Sequence, residues 1–93
     1  MLPALRYTEE NNVEREHPTV EKLFNTGLAY GLAGSLVRVH YGKSVETQGI
    51  VLKSAQDAVG NRWLEVLSSN GGLCVYPTYS HSIPYSVEIL NRA

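Results

Sequence analysis

The stretch LVRVHYGKSVETQGIVLKS, residues 36–54, decides the fold. Val37, Val39 and Tyr41 lie on one side of a two-residue period, and Arg38 and His40 lie on the other. That alternation belongs to a half-buried β-strand. Gly42 and Lys43 interrupt it as a turn, and the apolar run Ile50, Val51, Leu52 then marks a second strand over 46–54, with Gly49 at a bend or bulge.

Downstream, Asp57 and the Gly60-Asn61 pair predict a hairpin loop leading to a third strand over 62–67. Ser69-Asn70-Gly71-Gly72 follows, and Asn-Gly supplies the positive φ angles of a tight type I′ hairpin turn. A fourth strand over 73–76 stops at Pro77. A Pro-bounded connector runs to Pro84, and Val87 and Ile89 face inward from a fifth strand over 86–90. Upstream, Pro18 fits a first helical turn, and Val20, Leu23, Phe24 and Leu28 recur at helical spacing. Gly27, Gly31 and Gly34 are alternative stops for that helix. Residues 1–17 read as a polar tail, and 18–93 as one small β-barrel domain that includes the helix.

Five short strands joined mainly by hairpins exclude a parallel sheet and are too few for an immunoglobulin-type sandwich. The expected class is therefore all-β: a small five-stranded antiparallel barrel with an N-terminal helix. The layout is similar to that of SH3-like (Src-homology-3-like) and Sm-like barrels. An oligonucleotide-binding fold needs room for a helix between its third and fourth strands, which 68–72 does not leave.

The chain has 93 residues, 43% hydrophobic and 18% charged, the balance of an ordinary globular chain with one core. Cores of this size are marginal, so self-association into a homo-oligomer is expected. Net charge is −1, with Glu9, Glu10, Glu14, Glu16 and Glu21 crowded into the first quarter. That balance disfavours nucleic acid as a partner. The single cysteine, Cys74, and the lack of a basic-then-apolar leader predict a cytoplasmic protein. The nearly uncharged run 23–37 holds Asn25, Thr26, Ser35 and three glycines and is too short to span a bilayer, so no membrane anchor is expected.

Few motifs point to chemistry. Gly42-Lys43-Ser44 lacks the earlier glycine and the following helix of a phosphate-binding loop, so it reads as a strand turn. Gly27, Gly31 and Gly34 read as a helix end and a lead-in to the barrel. His17, His40 and His81 are scattered, at no helical or hairpin metal-ligand spacing, so no metal site follows. Cys74 reads as a packed side chain without a thiolate-stabilising neighbour. Nothing calls for a cofactor. The binding candidates are Tyr76, Tyr79, His81 and Tyr85, rings clustered between prolines that could line a groove for a peptide or small ligand. Trp63, next to Leu64, is an interface candidate if its ring faces out.

Leu73-Cys74-Val75-Tyr76-Pro77 after a glycine pair, with Val37-Arg38, Gln48-Gly49 and Ile50-Val51, resembles the layout of the plasmid-borne type II dihydrofolate reductases. The resemblance implies a tetramer around one pore that binds folate and NADPH through a Val-Gln-Ile-Tyr segment. Tyr76 matches the tyrosine and Val75 the isoleucine. The pore glutamine falls on Cys74 and a ligand-steering lysine on Val39, both losses of polar contacts. The residues predict a non-enzymatic, self-associating binding module that uses its aromatic face for a peptide or small ligand; the resemblances imply, as alternatives, a pore-type oligomeric enzyme or an Sm-like RNA-binding ring.

Overall fold

Strands form where the alternation predicts them: β1 (Leu36–Tyr41), β2 (Ser44–Gln56), β3 (Arg62–Ser68), β4 (Leu73–Pro77) and β5 (Tyr85–Asn91). The computed structural model describes residues 17–78 and 83–93. The expected tail, apart from His17, and the connector residues Tyr79 and His81 lie outside the described residues. The strands make one antiparallel sheet in the order β4-β3-β2-β1-β5.

β2 is longer than the sequence pattern suggests because it serves two partners. Its first half pairs with β1, Leu36 opposite Ile50, and its second half with β3, Ala55 opposite Trp63. Gly49 lies where the halves meet, facing both Val37 and Ser68. An added Cβ there would collide with the Leu67 carbonyl oxygen and lie 2.8 Å from its carbon and 2.9 Å from Ser68 Cα. Only glycine lets the two backbones approach this closely. Just beyond it the β2–β3 register slips between Val51 and Lys53, leaving Leu52 as the extra residue of a bulge. The bulge moves the inward parity of β2 from odd to even positions.

Among the described residues no ladder joins β4 to β5, so the expected barrel is not closed by backbone hydrogen bonds. Side chains bring the edges together instead. Helix α1 (Val20–Asn25) packs on β3, β4 and β5, and the two sheet edges can share one short helix only if the sheet curls around it. Val20, Leu23 and Phe24 of α1 join Val37, Val39, Val51, Leu64, Val66, Tyr76 and Val87 in the core. Arg62 pins the helix from β3, its guanidinium lying 5.3 Å from the Phe24 ring centroid and donating to Asn25 Oδ1 at 3.2 Å.

Three local expectations are corrected. Thr19, not Pro18, begins the helix: its Oγ1 accepts from Lys22 N–H at 3.1 Å, the usual service of an N-cap. Pro18 precedes the cap, and its carbonyl accepts from Val87 N–H at 2.8 Å, so the lead-in covers part of the β5 edge. Gly27, at φ 84°, ends α1, and a 3-10 turn, Leu28–Gly31, follows. Leu28 is therefore exposed, and Ala29 and Leu32 fill the core in its place. The β3–β4 turn is not the two-residue type I′ form. Gly71 N–H donates to Ser68 O at 2.8 Å with Gly71 itself at φ 96°, and Ser68 N–H donates to Gly72 O, which makes a three-residue loop with a glycine bulge.

Candidate functional site

The aromatic end belongs mainly to the core. Tyr76 is 5% exposed, its ring is edge-on to Tyr85 with centroids 4.9 Å apart, and Tyr85 leans on Tyr41 at 5.3 Å. The Tyr76 hydroxyl pairs with Thr47 Oγ1, which also approaches Cys74 Sγ at 3.8 Å. Burial pushes the phenol up to about 12, so it stays protonated and serves as a hydrogen-bonding plug. Of the four ring candidates, Tyr85 is half-buried at this rim, and Tyr79 and His81 lie outside the described residues.

The outward face of the sheet carries a feature the sequence did not single out. Leu36 faces Ile50, Ile50 faces Leu67 and Leu67 faces Leu73, so four aliphatic side chains stand side by side across β1, β2, β3 and β4. Ile50 is 38% exposed, Leu67 41% and Leu73 60%, and Val75 extends the patch along β4. Isolated surface leucines are ordinary, but a contiguous row is not. Charges of both signs flank it. Arg38 donates from Nε and Nη2 to Gln48 Oε1 at 3.1 and 3.0 Å and from Nη1 to Glu88 Oε1 at 3.3 Å. On the other flank Lys53 stands opposite Glu65, whose Oε2 accepts the Trp63 indole N–H at 2.9 Å. The Trp63 ring is thus on the outer face, partly exposed.

At the far end of the same face, alternation sets Arg38 and His40 beside each other on β1, and the β1–β5 register places Glu88 opposite Arg38. His40 Nε2 lies 3.0 Å from Glu88 Oε1, and His17, brought in by the lead-in to α1, places its Nε2 3.8 Å from the same oxygen. The two imidazoles stack with centroids 5.1 Å apart and planes 20° from parallel. The hydrogen bond to His40, then the charges of His17 and Arg38, hold the Glu88 carboxyl below the usual carboxylate range. A cleft of about 440 Å³ opens here, lined by His17, His40, Gly42, Lys43 and Ser86. Spacing along the chain separated these histidines; strand register and the path before α1 bring them together.

Comparison of the chain with known protein families, with curated proteins and with solved structures finds no match.

Proposed function

We propose that this chain is a small non-enzymatic interaction module that associates with a second copy of itself through the outer face of its sheet. The observation that supports this reading most directly is the row Leu36, Ile50, Leu67, Leu73, in register across four strands, with Leu36 half-buried and the other three exposed. Covering it removes apolar area from water at about 25 cal/mol per Å², and a 93-residue chain has little other reserve of burial. The flanking charges occur as opposite pairs, Arg38 with Glu88 and Lys53 with Glu65, so two copies related by a two-fold axis meet without net repulsion. The aliphatic row takes over the part first given to the aromatic end, because Tyr76 is spent on the core.

The pore-type reductase reading draws no such support. Val39 is fully buried, and Cys74 packs toward Thr47. The test is Leu67→Glu, at the centre of the row. Light scattering at about 100 μM is expected to give a dimer or larger assembly for the unsubstituted chain and a monomer for the variant, with an unchanged far-ultraviolet spectrum. An unsubstituted monomer, or a variant that assembles equally well, contradicts the proposal. A rise in melting temperature with NADPH and folate would favour the pore reading instead.

A further inference from the structure

From the convergence of two imidazoles on one carboxylate, we infer that His17, His40 and Glu88 form a binding site for a divalent transition metal of the zinc class. One ring nitrogen from each of His17 and His40 and a Glu88 carboxylate oxygen all lie within 4.8 Å of one another. A tetrahedral zinc ion with bonds of about 2.0–2.1 Å holds its ligands about 3.3 Å apart. The separations of 3.0 and 3.8 Å from Glu88 Oε1 bracket that edge, and the two stacked rings, with centroids 5.1 Å apart, turn out of their stack to aim both nitrogens at one ion.

The donor types select the metal. Two imidazole nitrogens and one carboxylate suit a borderline first-row ion, whereas calcium and magnesium take oxygen ligands. The surroundings resemble a prepared outer shell. Arg38, fixed by two hydrogen bonds to Gln48, also donates to Glu88 and aims its carboxylate, the service outer partners give to metal-ligating groups. The cleft beside the histidines gives an ion an entry path and leaves a fourth coordination position for water or a small anion, with Lys43 on the wall. The rings come from two separated parts of the chain, His17 ahead of α1 and His40 on β1, so a bound ion also staples the lead-in to the sheet. This site borders the aliphatic row through the Arg38–Glu88 pair, but all three ligands come from one chain, so it does not depend on the proposed association.

Zinc titration followed by calorimetry, on the full chain at neutral pH and with no other metal present, tests the inference. One ion per chain is expected. His17→Ala, His40→Ala and Glu88→Gln should each weaken binding by about tenfold or more, and Cys74→Ser should leave it unchanged. In the unsubstituted chain the ring-proton resonances of His17 and His40 should shift together at one equivalent, a readout that needs no variant to fold. Absence of uptake, uptake unaltered by all three ligand substitutions, or loss with Cys74→Ser would overturn the site.

Discussion

Gly49 shows how one missing side chain sets the shape of the sheet. It is buried at the point where β2 has β1 on one side and β3 on the other, and its lack of a Cβ admits the Leu67 carbonyl. Gly49→Ala therefore forces backbone against backbone, which no rotamer change relieves. The expected loss is about 3 kcal/mol or more, at the upper end of overpacking costs, measured by urea denaturation. Gly60→Ala, at φ 94° but in open space, should cost less, because only local backbone strain is incurred.

Among the elements, the loop between β2 and β3 is held by backbone bonds between Asp57, Gly60 and Asn61 and by the Asp57 carboxylate. Asp57 Oδ1 accepts from the backbone N–H groups of Val59 at 3.0 Å and Asn61 at 2.9 Å, and Oδ2 accepts from the Asn61 side chain at 2.8 Å. These bonds, the Asn61 side chain foremost, lower its pKa below the ordinary 3.8. A lowered folded-state pKa means that the stabilisation is complete above the unfolded value and is lost as pH falls through the folded one. Asp57→Ala should lower the melting temperature at pH 7, and its gap from the unsubstituted chain should narrow below pH 3.8. A gap independent of pH would contradict the ionic account of this loop.

What the sequence could show is sharply divided at this same scale. Leu36–Tyr41 was legible because one face is wet and one dry, so period two is written in full. The ends of β2 were not, since Ser44, Ala55 and Gln56 carry no alternation and are recruited by the ladder alone. The run Ile50, Val51, Leu52 identifies a strand but not its faces, because the bulge at Leu52 changes parity without any composition signal. Tyr76 was recognisable as important, but its role as a core plug depends on Thr47, far away in sequence. The His17, His40 and Glu88 cluster depends on strand register and on the chain's path before α1, neither of which spacing encodes.

Taken whole, the molecule curls a five-stranded sheet around one short helix and places its core on the inner face. That arrangement leaves the outer face accessible, with the aliphatic row running from Leu36 to Leu73 and an imidazole-carboxylate cluster beside Arg38. The lead-in through Pro18 and Thr19 covers part of the β5 edge, whereas among the described residues nothing pairs with the free edge of β4. Self-association through the row would place that β4 edge at the rim of the contact, beside Leu73 and Val75. The most direct measurement is a nuclear magnetic resonance experiment on an equal mixture of isotope-labelled and unlabelled chains, filtered for contacts between copies. Intermolecular signals from the methyl groups of Leu36, Ile50, Leu67 and Leu73 are predicted, with none from the buried Val37 and Leu64. Intermolecular signals confined to other surfaces, or none at millimolar concentration, would contradict the claim that this face is the interface.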